Sequence, residues 1–273
     1  MSDPNIPDIQ PDIQEEPRHF NLNPQPEPPG EPVMSTGETL TNIFFEPGRV
    51  FEALRARPRF LIAGLIVLLS ITAYTISLYQ RVGYENFIRS AIESSPQSAN
   101  MPPDQKERVI EMQSGPVFKA VNYVSPLIGV ALFIAAGGAL YLLGTMVMAR
   151  SISYKQALSV WTYSSFPPTL IAMLLNIVLV FIKSPDDIDP IQARRGLVRA
   201  NLGLLVDPTA HPVLATALGS FDLLAFYGLF LAALGLRKVA RLSSGSAWTI
   251  VLIIWLLGVV IRLAFATITG GAM

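Results

Sequence analysis

The sequence predicts an all-α polytopic membrane bundle, with five transmembrane helices behind a disordered N-terminal tail. Three observations predict it. Charged residues make up only 15% of the 273-residue chain, against about 25% in ordinary soluble domains. The apolar residues, 51% of the whole, gather in five long runs rather than spreading evenly. The first 40 residues have the opposite character, with nine prolines and eight acidic side chains against one basic one.

The tail comes first. A segment so poor in apolar mass cannot bury enough surface to offset the entropy of ordering, so disorder is expected over residues 1–40. It opens with no basic stretch and no apolar run, so it does not read as a signal peptide. Two roles stay open for it: a solvating tail, or a docking tail carrying short partner motifs.

Residues 47–57 follow. Pro47 suits the first position of a helix. Val50, Phe51 and Leu54 fall on one helical face, with Arg55 and Arg57 elsewhere. The pattern predicts a short helix in the headgroup region, its bases near anionic lipid. The plainer alternative is an orientation signal only.

The five runs are residues 60–79, 124–148, 157–182, 213–236 and 247–268. A hydrocarbon core of about 30 Å needs about 20 helical residues, so each run is long enough to span. The first three carry no charge. A mean hydropathy of +0.44 fits this class. Arg49, Arg55, Arg57 and Arg59 precede the first span; Arg150, Lys155, Arg237, Lys238 and Arg241 lie in the two short links. Bases in short loops mark the cytoplasmic side. The tail and short links are therefore expected inside, with the C-terminal Gly-Gly-Ala-Met outside. The long loops 80–123 and 183–212 then face outward. Residues 85–94 and 103–114 have helical composition. Residues 193–206 could form an amphipathic helix on the membrane or part of a small solvent-exposed cap.

Catalytic readings fail on inventory. With no Cys, thiolate chemistry, disulfides and cysteine-ligated metals are excluded. The two histidines, His19 and His211, form no spaced zinc pair. No Gly-x-Ser-x-Gly elbow and no phosphate-binding Gly-x-x-x-x-Gly-Lys-Ser/Thr loop is present. No cofactor and no nucleic-acid partner is expected. Two ionisable residues stand inside the runs, Asp222 and Arg262. Such charges face protein or water. Counted along helices, both lie about 10–15 Å from the outer surface on neighbouring spans. An Asp222–Arg262 ion pair is geometrically allowed, with Asn176 as a third member. A packing pair, an independently snorkelling Arg262 and a substrate or proton pathway all remain open. Pro167 and Pro168, after Ser164 and Ser165, predict a kink in the third span. Ala131, Ala135 and Ala139, and Gly228 with Ala232, permit close helix approach and self-association. Trp161, Trp248 and Tyr154 are expected near the cytoplasmic interface.

Several stretches together resemble the bacterial Yip-domain family. They are Phe44–Leu54, Tyr163-Ser-Ser-Phe-Pro-Pro168, Ala200–Leu205 and Gly219–Leu236, the last followed by a basic link and Trp248…Trp255. The resemblance covers roughly residues 40–270 and leaves the tail outside. It implies five spans, a cytoplasmic N-terminus and a place in a bacterial inner membrane. Eukaryotic members of the family resemble adaptors for prenylated Rab-type GTPases, a role that does not transfer to bacteria. The family supplies no catalytic residue, and the Asp222 position is typical of its bacterial members. The function implied is non-enzymatic, a membrane scaffold or adaptor whose tail and short loops meet membrane or cytoplasmic partners. The alternative is a small transporter, or an accessory subunit of an export complex, using Asn176, Asp222 and Arg262.

Overall fold

The computed structural model describes residues 34–95, 98–208 and 210–269. Most of the expected disordered tail, residues 1–33, lies outside the described residues. Its last part departs from expectation, because Thr36–Asn42 form a helix, α1. The reason is a capping box. The Glu38 amide donates to the Ser35 hydroxyl at 3.2 Å, and the Ser35 amide donates to the Glu38 carboxylate at 2.6 Å. The bond to the Ser35 amide holds the Glu38 carboxyl below its usual pKa.

In chain order α2 is Pro47–Ala56, α3 Leu61–Val82, α4 Tyr84–Glu93, α5 Pro103–Ser114 and α6 Pro116–Val147. Then come α7 Tyr154–Ile182, the single turn α8 Pro190–Ala193, α9 Pro212–Gly219, α10 Leu223–Ala240 and α11 Ser244–Thr269. Helices α3, α6, α7, α10 and α11 are long and apolar enough to cross a membrane. They leave side chains such as Leu132, Phe133, Leu256, Val260 and Ile261 exposed, a surface suited to lipid and not to water. The chain is an all-α integral membrane protein. Both expected loop helices form, as α4 and α5.

The hub is α7, which packs against α3, α6 and α10. Lipid is as apolar as leucine, so close packing must supply what hydrophobicity supplies in water. Glycines provide it. A Cβ on Gly137 of α6 would lie 1.9 Å from Cε2 of Trp161 on α7, and one on Gly138 would lie 2.6 Å from Cδ2 of Leu158. Gly144 meets Ile250 of α11 in the same way, at 2.6 Å. The alanine ladder expected for α6 is not the contact: Ala131 and Ala135 are exposed. Trp161 is half-buried there, with its ring centroid 4.9 Å from that of Tyr141.

The short helix α2 also differs from expectation. Val50, Phe51 and Leu54 are buried against protein rather than in headgroups. The helix packs on α10 and α7. Phe51 fills the space over Gly235, where an added Cβ would be 2.8 Å from its ring. Lys238 of α10 pairs with Glu52 at 2.5 Å.

The fourth apolar run is not one helix. It breaks after Gly219, and the long helix starts only at Leu223. Residues 193–206 form no amphipathic helix either. Past α8 the chain turns at Gly196, whose φ of +106° lies in the left-handed region. It then runs extended to a 3₁₀ turn at Leu202–Leu205. These two departures are coupled through a bridge between Asn201 and Asp222.

Candidate functional site

A cleft of about 440 Å³ opens between α6, α7, α10 and the 195–201 segment. Asn176, Asp222 and Pro168 all line it. The sequence therefore located three of its wall residues. Arg262 does not line it, and on α11 it is exposed. Among the described residues no ion pair joins Asp222 to Arg262. An exposed arginine less than two turns from its helix end can carry its guanidinium toward the interface, as a snorkelling residue does.

Asp222 is committed to the backbone. It is the N-cap of α10, and one carboxylate oxygen accepts the amides of Leu224 at 2.9 Å and Ala225 at 3.0 Å. Asp is a strong N-cap and a poor mid-helix residue, which is why the apolar run breaks here. The break stays satisfied because the Leu223 amide donates to the Ala200 carbonyl at 3.0 Å. The Asn201 amide group reaches Asp222 at 3.4 Å, and the two residues form an isolated antiparallel bridge.

Asn176 is committed in the same manner. It is 2% exposed on α7. Its side-chain oxygen accepts the amides of Leu197 at 2.6 Å and Val198 at 2.8 Å. Gly196 is required beside it, since a Cβ there would come within 3.2 Å of Asn176 Nδ2. One polar residue on α7 and one at the head of α10 thus strap the same loop across the cleft mouth.

Pro168 forms part of the cleft's wall, and Pro167 is buried beside it. Helix α7 is continuous through Pro167 and Pro168. Two missing amides free the carbonyls of Tyr163 and Ser164. The nearby serines do not cover these. Ser164 donates to the Trp161 carbonyl at 3.0 Å and Ser165 to the same carbonyl at 2.9 Å. Instead Gly228 of α10 approaches, where a Cβ would lie 3.5 Å from the Ser164 carbonyl oxygen and 3.4 Å from Pro168 Cγ.

Sequence reasoning did not single out Arg195 and Asn201, and named Trp161 only as an interfacial residue; all three line the cleft. Desolvation, then the charge of nearby Arg199, lowers the Arg195 pKa, with Asp189 opposing; the guanidinium remains charged. The indole N–H of Trp161 is buried without a hydrogen-bond partner. One signal was readable: Gly219-Ser-Phe-Asp222 combines a helix-stopping glycine with an N-cap aspartate. Among the described residues no group of three or more metal-ligating side chains comes together.

No curated protein and no solved structure matches this chain. The model of the Yip1 domain matches residues 41–265. That match takes in the first four spanning helices, most of α11, the broken fourth run and the cleft, and the chain belongs to the Yip1-domain family.

Proposed function

We propose that the protein is a non-enzymatic membrane scaffold or adaptor. One observation carries this reading. The polar residues best placed for a relay, Asn176 and Asp222, are both bonded to backbone amides and fasten a loop. The side-chain oxygen Oδ1 of each accepts two amides, and Asp222 Oδ2 meets the Asn201 amide group at 3.4 Å, so both residues serve to hold architecture. The acidic tail and the basic short links are the surfaces offered to partners. The distribution of bases supports a bacterial inner membrane protein with its N-terminus in the cytoplasm. The test is crosslinking and pull-down from native membranes with mass spectrometry, using the full chain and a chain lacking residues 1–33. That deletion leaves the Ser35 cap intact. A partner captured by the full chain and lost with the tail supports the adaptor. Identical capture by both chains removes the tail from the role.

A second reading, a small transporter or an export accessory subunit, has its own support. The cleft reaches Asp222 and Pro168 of α7, and it exposes a wall beside the unpartnered Trp161 indole. The chain has no cysteine, so single cysteines at Thr169 or Ala225 can be probed cleanly. Labelling by a membrane-impermeant thiol reagent, blocked by a transported solute, would favour this reading. Unreactive positions would leave the adaptor.

A further inference from the structure

At the end of the bundle that carries α2, a second pocket of about 370 Å³ is walled by Arg55, Arg150 and Arg241. The three come from separate elements: the last turn of α2, the α6–α7 link and the residue that ends α10. No acidic residue lines the pocket. Among the described residues no ion pair involves any of the three arginines. The nearest acids on α2 and before it are taken, Glu52 by Lys238 and Glu46 by Arg49. Three like charges are thus gathered with no counter-charge among the described residues, an arrangement that costs energy unless something anionic joins it.

The backbone is bent to make this pocket. Among the described residues, two non-glycine residues have a left-handed backbone, Ala149 at φ 53° and Arg241 at φ 51°, and both line it. Helix α6 closes with the Arg150 amide donating to the Thr145 carbonyl at 2.9 Å, a C-terminal turn that ordinarily has glycine where Ala149 stands. Gln156, another wall residue, donates to the Arg55 carbonyl at 2.8 Å and so ties the end of α2 to the start of α7. A helix C-terminus attracts bases through its dipole, which accounts for Arg150 and Arg241 one at a time. The same holds for Arg55 in the last turn of α2, but the dipole does not account for the convergence of the three or for strain at both turns.

We propose that this pocket binds a phosphate-type oxyanion, and that its source is the headgroup of an anionic glycerophospholipid in the leaflet at that end. Guanidinium groups match phosphate oxygens in pairs, and three of them from three elements can close around one group. The level is right for a headgroup. Two of the wall segments directly follow the ends of spans α6 and α10, and α3 begins soon after α2. A lipid held there clamps α2 and both short links together.

The test uses the full chain in neutral detergent, with thermal midpoint and native mass spectrometry as readouts. The probes are dioleoyl phosphatidylglycerol, dioleoyl phosphatidylcholine and inorganic phosphate. Phosphatidylglycerol is expected to raise the midpoint saturably and to remain bound in the mass spectrum, while phosphatidylcholine does neither. Each of Arg55→Gln, Arg150→Gln and Arg241→Gln should weaken phosphatidylglycerol about tenfold, the worth of one charge-assisted bond. Arg150→Lys controls for folding: it keeps the charge, loses the paired geometry and should fall between. Millimolar inorganic phosphate stabilising as well as phosphatidylglycerol would overturn the lipid source and keep the oxyanion site. Equal phosphatidylglycerol binding by the wild type and a folded triple Gln variant would overturn the site itself.

Discussion

The two ends of the bundle differ in how they use polar side chains, although bonded ones occur at both. At the end bearing α4, α5, α8 and α9 they are spent on the backbone. Asn176 holds Leu197 and Val198, Asp222 holds Leu224 and Ala225, and the Tyr74 hydroxyl donates to the Ala193 carbonyl at 2.5 Å. Arg89 there is bridged to Glu107 at 2.9 Å, which lowers the Glu107 pKa and raises that of Arg89. At the α2 end, Arg55, Arg150 and Arg241 share a pocket with no carboxylate. The contrast teaches that charge inside this fold is not one signal. Bonded polar groups record how loops are fastened, whereas grouped and unbonded ones mark where something else is expected to bind.

Breaking a hook should have the largest effect. Asn176→Ala leaves two part-buried amides without an acceptor, and a loss of about 2–4 kcal/mol is expected. Asn176→Asp keeps an acceptor and should recover part of it. Thermal denaturation in detergent reads both, and a neutral Asn176→Ala would show that the strap over the cleft is dispensable.

The middle of the bundle belongs to neither end, and Gly137 tests whether packing there matters as much as the hooks. With Trp161 Cε2 only 1.9 Å from an added Cβ, Gly137→Ala must push α6 from α7 at about 1–3 kcal/mol. Adding Trp161→Phe should restore part of the midpoint, since the smaller ring makes room. No rescue would mean that the clash is relieved elsewhere.

Asp222 sharpens the contrast at a smaller scale. As an N-cap its removal in Asp222→Ala should cost about 1 kcal/mol, and Asp222→Asn, which caps as well, should be nearly neutral. A proton pathway predicts the reverse pattern, with Asn abolishing function while stability is kept. Measuring stability and the cellular phenotype of both variants separates a cap from a carrier.

How much of this was readable in advance depends on whether a feature is local. The spans were legible because apolar length is a property of one segment, and α4 and α5 because their composition is helical. The break at residues 220–222 was written in Gly219 and Asp222, yet the flanking apolar residues masked it. The α2 face was read correctly as apolar, but its destination was not, because Gly235 and Val160 lie far along the chain. Asn176 and Asp222 were singled out for cost alone, and cost does not say whether a group is bonded to a ligand or to a loop. The grouping of Arg55, Arg150 and Arg241 had no local trace. Each read as an orientation signal, and their convergence depends on two left-handed turns and the docking of α2.

The smallest expected effect is the one that bears most on that convergence. Arg150→Gln and Arg241→Gln remove side chains with no ion pair among the described residues. In neutral detergent each should change stability by less than about 0.5 kcal/mol, the usual range for surface positions. Relief of repulsion among three clustered cations would even favour a slight gain. At the opposite end, Arg89→Gln should lose a little, because it breaks an exposed bridge of modest value. If the two pocket variants fall below wild type without any lipid present, those arginines have a partner in the protein, and the two ends no longer differ in kind. If they match or exceed wild type while Arg89→Gln falls, the α2 end holds charge that the fold itself does not use.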